Sequence, residues 1–171
     1  MYSHNQIIGL LTRMAQAHKQ IKSFGFGDDF DITNAPLLYD TDSNANQNPS
    51  HVLLWGVLKS SLLNNSNPAT AAELQTVYTL IVCDKVQPND SNRDEIMSDT
   101  QQICLDLIAM FQSGAYDNYF YVNKTAALTP FSGLKETDDG SIGWTFDLVI
   151  RQPYTSDYCA VPGTIPSALP I

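Results

Sequence analysis

The chain has 171 residues with 43% hydrophobic and 10% aromatic content, which favours one folded domain and excludes a disordered segment. Its formal net charge is −9 at pH 7, and residues 1–27 hold Arg13, Lys19 and Lys22 but no carboxylate. The remainder, with six basic and eighteen acidic side chains, is therefore poorly suited to wrapping nucleic acid. The basic segment is interpreted either as meeting an acidic surface, on this chain or a neighbour, or as a solvated helix face.

The N-terminal segment does not have the pattern of a signal peptide, because His4, Asn5, Gln6 and Arg13 interrupt its apolar residues. No apolar run in the sequence approaches the ~20 residues that span a bilayer. We therefore expect an intracellular, soluble protein without a membrane partner.

Residues from Ser3 to about Ser23 have the periodicity of an amphipathic helix. Ser3 and Gln6 form a capping box at its start, and Lys19 and Lys22 lie near the expected C-terminal end. The following SFGFGDDFDI predicts a loop or short strand, and residues 34–50 are rich in turn formers.

Two apolar stretches in the middle of the chain predict strands. The first is a short buried strand over Val52–Leu58, followed by SSLLNNSNPAT, which is interpreted as an exposed loop or as the tip of a hairpin. The second, Glu73–Asp84, has apolar residues on both faces and predicts a central strand.

A long helix is predicted next, with Asn92 and Glu95 as a capping pair and Gly114 at its end. Its apolar stripe consists of Ile96, Thr100, Ile103, Leu107, Met110 and Phe111. Acidic side chains at its start are explained by the electropositive end of the helix dipole.

The last predicted elements are strands. Tyr119–Val122 predicts one, and a DDG turn at 138–140 leads into a second with alternating apolar residues from Ile142 to Ile150. The other face of that strand, with Thr145, Asp147 and Arg151, is more polar and is expected to meet solvent or a partner. We assign residues 1–152 to a single α+β domain. Residues 153–171, with Pro153, Pro162, Pro166 and Pro170, form a Pro-rich extension that is either loose or laid on a neighbour.

The candidate metal and disulfide sites are weak. Asp40-x-Asp42-x-Asn44 begins like a calcium loop, but Ala45 and His51 occupy the positions of the required glycine and glutamate. Asp28, Asp29 and Asp31 are interpreted as a solvated loop rather than a cation site. The cysteines (Cys83, Cys104 and Cys159) have no metal-binding spacing, so we predict no metal and no cofactor.

The sequence predicts no catalytic residues. The histidines at 4, 18 and 51 are far apart, and no GxSxG, P-loop or dinucleotide-binding motif is present. A hydrolase that uses Cys104 or a serine with one of these histidines remains an alternative. The aromatic YDNYFY stretch at 116–121 lacks neighbouring basic residues, so core or interface packing is favoured over base or sugar stacking.

The order of the motifs resembles the tail-terminator, or tail-completion, proteins of tailed bacteriophages and the related ring proteins of the virus neck. The motifs are the N-terminal amphipathic helix, the strand ending in VCD, the NRDE turn, the DTQQICLDLI helix, the PF of TPFSGL, the DDG turn, the GWTFDLVI strand and the CAVP near the end. The resemblance covers most of residues 6–162 and is weaker over 34–72.

The resemblance implies an α+β fold in which a mainly antiparallel sheet carries the N-terminal helix and a second long helix on one face. It also implies a ring, often a hexamer or a multiple of six, at the head–tail junction of the virion. Such a ring caps the tail tube and joins it to the head connector, so the implied partners are other copies, a tail tube protein and a connector or neck protein. An acidic lumen would let DNA pass without specific binding.

A second class of function is left open by the residues themselves. A small-ligand or peptide-binding α+β module of a cellular protein would account for the aromatic content and for the polar sheet face around Asp147.

Overall fold

The structure is a computed structural model that describes residues 3–27, 52–64, 72–86, 91–113, 127–132 and 140–154. Within these residues the chain forms two helices and five strands, which confirms the predicted α+β class. In chain order they are α1 (His4–Ala17), β1 (Ser23–Phe26), β2 (Leu53–Asn64), β3 (Ala72–Lys85), α2 (Arg93–Gln112), β4 (Thr129–Ser132) and β5 (Ser141–Tyr154).

The five strands form one sheet in the order β1-β2-β3-β5-β4. Only the pairing of β1 with β2 is parallel, and the other three pairings are antiparallel. β3 lies at the centre, as its two apolar faces predict. It pairs with β5 over its whole length, from Ala72 opposite Tyr154 to Lys85 opposite Ser141.

Both helices pack on the same face of the sheet. The predicted stripe of α2 is buried, except that Met110 is half-buried. α1 contributes Ile7, Leu11 and Met14 to the same cluster. The indole Nε1 of Trp144 donates a hydrogen bond of 2.8 Å to the carbonyl of Met97, which ties α2 to β5. Removing these apolar side chains from water stabilises the layered arrangement.

The other face of the sheet has a smaller apolar cluster, formed by Leu53, Trp55, Val57, Ile81 and Cys83. A Cβ atom at Gly25, which pairs with Trp55, would lie 1.9 Å from Cζ3 of that indole. The Trp55 ring therefore occupies the space that a side chain at position 25 would need. Glycine at this position lets the ring pack across the β1–β2 pair on this face.

The structure confirms the capping box of α1, since the Ser3 hydroxyl accepts from the Gln6 backbone and the Gln6 side chain accepts from the Ser3 backbone. The predicted end of the helix near Ser23 is wrong. His18 adopts an extended conformation, and Ser23 already belongs to β1. Ile21 is completely buried. Burial of Ile21 and pairing of β1 outweigh continuation of the helix, so Lys19 and Lys22 lie beyond it.

Two further predictions need correction. β2 continues to Asn64 and pairs with β3 along this length, so residues 60–64 form part of a strand rather than the predicted exposed loop or hairpin tip. Asn92 does precede α2, but its side chain makes no capping hydrogen bond. Its amide nitrogen instead lies 3.5 Å from the carbonyl of Lys85, which joins the start of α2 to the end of β3.

β5 extends beyond its predicted boundary. Pro153 and Tyr154 continue the pairing with β3, opposite Glu73 and Ala72. Proline is tolerated in a strand where its missing N–H is not needed by the neighbouring strand. β4, which contains the PF motif, is a strand that the sequence analysis did not predict, and it pairs with β5 from Thr129 opposite Thr145 to Ser132 opposite Ile142.

Several predictions fall outside the described residues: the loop at 28–50 with its acidic groups and His51, the strand at Tyr119–Val122, Cys159 and the Pro-rich residues after Tyr154.

Gly143 is the position at which the sheet tolerates no side chain. A Cβ atom there would lie 1.9 Å from the carbonyl oxygen of Val82 and 2.7 Å from Cα of Cys83, which are backbone atoms of β3. We expect Gly143→Ala to lower the free energy of unfolding by about 2 kcal/mol or more, because β3 and β5 must move apart.

Urea denaturation followed by circular dichroism measures this effect, with Gly9→Ala as the matched control. Gly9 lies on the exposed side of α1, where a Cβ meets nothing within 4 Å. The control is expected to raise the free energy of unfolding by about 0.5 to 1 kcal/mol. Equal stability of the two variants would contradict the close approach of β5 to β3.

Candidate functional site

Each described histidine packs against neighbouring secondary-structure elements. His4, at the start of α1, has Nδ1 3.1 Å from the hydroxyl of Tyr78. Its ring stacks on Tyr78 at 6.0 Å between centroids and meets Phe26 edge-on at 5.1 Å. Burial raises the pKa of the Tyr78 hydroxyl above its ordinary value of 10.0. This aromatic group joins α1, β1 and β3, and these contacts give His4 a structural role.

His18 connects the two helices. Its Nε2 lies 3.4 Å from Oδ2 of Asp106, and the Gln102 side chain donates to the other oxygen of that carboxylate at 3.0 Å. Nδ1 of His18 is buried without a hydrogen-bond partner in the described part of the chain. The pair therefore bridges the end of α1 and the middle of α2.

Cys104 does not have the environment of a nucleophile. It is fully buried in α2, and burial raises the pKa of its thiol from 9.0 to about 12. Its Sγ lies 3.9 Å from the carbonyl oxygen of Trp144. A thiol with this pKa is protonated at neutral pH, whereas nucleophilic attack requires the thiolate. The hydrolase alternative based on Cys104 therefore loses its nucleophile.

No group of three or more His, Cys, Asp or Glu side chains that could hold a metal ion occurs among the described residues. Cys83 and Cys104 are both buried and form no disulfide among the described residues. None of the described helices is both long and apolar enough to cross a bilayer.

The most unusual surface is the outer half of β2, which we call the β2 arm (Leu58–Leu63). All six of its residues are exposed, although the arm is paired with β3 along its inner edge. Leu58, Leu62 and Leu63 are 43%, 60% and 48% exposed. Several large apolar side chains exposed on one strand favour a contact surface.

The outer edge of the β2 arm has no neighbouring strand among the described residues. β1 pairs with β2 only from Leu53 to Gly56, and a hydrogen bond from Gly27 to the Gly56 carbonyl ends that contact. An uncovered strand edge presents N–H and C=O groups to which a further strand can add.

The register places the leucines of the arm on both faces of the sheet. Leu58 pairs with Tyr78 and Leu63 with Leu74, so these two lie on the face that carries the helices, while Leu62 lies on the other. The register shifts between Leu58 and Ser60, which makes Lys59 the extra residue of a bulge. This bulge breaks the alternation of apolar residues, which is why the sequence did not indicate a strand here.

The predicted polar face of β5 is present. Asp147 and Arg151 are exposed and Thr145 is half-buried. The Thr79 hydroxyl donates a hydrogen bond of 2.6 Å to Asp147 across the β3–β5 pair. This contact links adjacent strands on the surface and defines no pocket by itself.

Charges of opposite sign lie on the two helical segments. Arg13, Lys19 and Lys22 are exposed in or just after α1, and the first two turns of α2 expose Asp94, Glu95 and Asp99. The acidic residues at the start of α2 stabilise its electropositive end. The described surface therefore has a basic region on the α1 segment and an acidic region at the start of α2.

No protein-family model matches the chain, and no match was found among the curated proteins. A solved structure whose name describes no function is similar at 12% identity, covering 90% of this chain and 100% of that chain with a TM-score of 0.48. A likeness of this size carries no argument about function.

The buried Cys104 predicts a loss of stability in alkali. Because the folded pKa is raised to about 12 from 9.0, the native state keeps its proton longer than the unfolded state does. The stabilising contribution is complete below pH 9 and declines above it, by about 1.4 kcal/mol per pH unit.

Unfolding in urea at pH 8, 9 and 10 measures this effect. We expect the unmodified chain to lose about 1 kcal/mol more between pH 9 and 10 than Cys104→Ala does. Tyr78, whose pKa is raised from 10.0, also begins to contribute as the pH approaches 10, but both chains contain it, so the difference between them reports Cys104. Identical pH profiles of the two chains would contradict the burial of the thiol.

Proposed function

We propose that this chain is a virion structural protein, a ring-forming subunit at the head–tail junction of a tailed bacteriophage. The ring caps the tail tube and joins it to the head connector. Its partners are other copies of the chain, a tail tube protein and a connector or neck protein. The protein is made in the host cytoplasm and ends in the neck of the virion.

The observation that carries this proposal is the agreement between the fold and the order of the sequence motifs. The resemblance of the motifs to tail-terminator proteins implies a mainly antiparallel sheet with an N-terminal helix and a second long helix on one face. α1 and α2 occupy that face of a sheet in which three of four pairings are antiparallel. The proposal thus rests on sequence motifs and a fold that support each other.

The surfaces of the subunit supply what ring assembly requires. A closed ring uses a heterologous contact, in which one patch of each subunit meets a different patch on the next. The β2 arm exposes three leucines, and the α1 and α2 segments expose charges of opposite sign. These unlike surfaces on one subunit support head-to-tail association.

The proposed role is structural rather than catalytic. His4 and His18 are engaged in contacts between secondary-structure elements, and the thiol of Cys104 is held in its protonated form by burial. The net charge of −9 supports a lumen through which DNA passes without specific binding, because like charges repel.

We expect the purified chain to form closed rings, often of six copies, and to bind the ends of isolated tail tubes. Light scattering gives the mass, and negative-stain microscopy gives the shape and the position on the tubes. Bovine serum albumin at the same mass concentration serves as a control for non-specific tube binding.

Two results would count against the proposal. One is a chain that stays monomeric at high concentration and leaves tail tubes uncapped. The other is a monomer that gains thermal stability with a small ligand or peptide and forms no rings, which would favour the cellular binding module instead.

A further inference from the structure

Within the described residues, no strand pairs with the outer edge of the β2 arm. Beyond Gly56 no described strand lies on that side of β2, and residues Leu58–Leu63 are all exposed. Its three leucines are about half exposed within a single chain. An edge strand of this kind is completed when an extended segment adds to it, with backbone hydrogen bonds and apolar side chains contributing together.

The sequence after β5 contains a segment with the properties of such a strand. Residues 161–170 read VPGTIPSALP, so an apolar residue precedes a proline at three positions spaced four residues apart. A residue that precedes proline favours the extended conformation. Because side chains alternate along a strand, Val161, Ile165 and Leu169 would lie on one face.

The prolines make one edge of this segment different from the other. In an extended strand the N–H groups of alternate residues point to opposite edges, so Pro162, Pro166 and Pro170 all remove a donor from the same edge. The other edge keeps every N–H from Val161 to Leu169. The segment can therefore pair with a strand along one edge, whereas its other edge cannot pair fully with a further strand.

The end of β5 and the charge of the sequence that follows it fit the β2 arm. β5 ends at Tyr154 opposite Ala72, next to the pair formed by Asn64 and Glu73, so the described parts of β5 and β2 reach the same end of the sheet. The single charged side chain among residues 155–171 is Asp157, and the one in the arm is Lys59. A lysine at a strand edge disfavours pairing of two arms and favours an acidic partner.

We propose that residues 161–169 of a second copy pair with the outer edge of the β2 arm. Val161, Ile165 and Leu169 of that copy lie on the helix-bearing face of the sheet and contact Leu58 and Leu63 there, whereas Leu62 lies on the opposite face. A second copy is favoured over the same chain because Leu58, Leu62 and Leu63 are exposed within a single chain. The inference rests on the proposed ring, since each subunit then donates one segment and accepts another.

Two proline substitutions in the full chain test the edge assignment. Ser167→Pro removes an N–H from the pairing edge, whereas Ala168→Pro removes one from the edge that the natural prolines already block. We expect Ser167→Pro to weaken self-association about tenfold, and Ala168→Pro to leave it within about twofold of the unmodified chain. Sedimentation velocity over a concentration series measures both.

A mixing experiment tests whether the contact is between copies. Leu58→Lys combined with Leu63→Lys gives a chain that donates its segment but cannot accept one, and Ser167→Pro gives a chain that accepts a segment but donates its own about tenfold more weakly. We expect each to be monomeric alone at a concentration where the unmodified chain assembles. Their mixture should form dimers, held by one intact contact. Circular dichroism checks that both variants remain folded.

The results separate this inference from the proposed function. Rings formed equally well by the unmodified chain and by the Ser167→Pro and leucine variants would overturn the inference and leave the proposed function standing. Equal effects of Ser167→Pro and Ala168→Pro, or a mixture that stays monomeric, would also overturn it. An unmodified chain that is itself monomeric would overturn the proposed function, and the inference with it.

Discussion

The pairing of β3 with β5 is the constraint on which the rest of the fold depends. The two strands stay in register over fourteen residue pairs, from Ala72 opposite Tyr154 to Lys85 opposite Ser141. At Gly143 the backbones approach so closely that no side chain fits. Since α2 packs on both strands, this pairing fixes the helix and the main apolar core together.

The same long strands produce the surface that we connect with assembly. β1 and β4 have four residues each, whereas β2, β3 and β5 have twelve to fourteen. The short outer strands cover only one end of the sheet, and the β2 arm projects at the other. Its leucines therefore contribute little to the core of a single chain and are available to another copy.

The sequence predicted the elements whose periodicity is regular. The stripe of α2 and the alternation around Phe146 are set by burial on one face, which leaves a clear pattern. The end of α1 and the length of β2 were not predictable in this way. Ile21 lies beyond the end of α1 and is buried in the core. The bulge at Lys59 interrupts the alternation of apolar residues along β2. Both depend on contacts with residues distant in sequence.

The candidate surface was only partly predictable for the same reason. The polar face around Asp147 follows from alternation along β5, and the structure agrees. The exposure of Leu58, Leu62 and Leu63 depends on which strands lie beside β2, and a single strand's sequence does not specify its neighbours. The spacing of Pro162, Pro166 and Pro170, in contrast, is visible in the sequence. Its meaning as a strand with one pairing edge becomes clear only once an open strand edge is known.

Cryo-electron microscopy of the assembled protein tests the central claim most directly. We expect closed rings in which an extended segment of one subunit lies beside the outer edge of β2 in the next and covers Leu58 and Leu63. Particles that are single subunits at all concentrations, with no closed ring, would contradict the account.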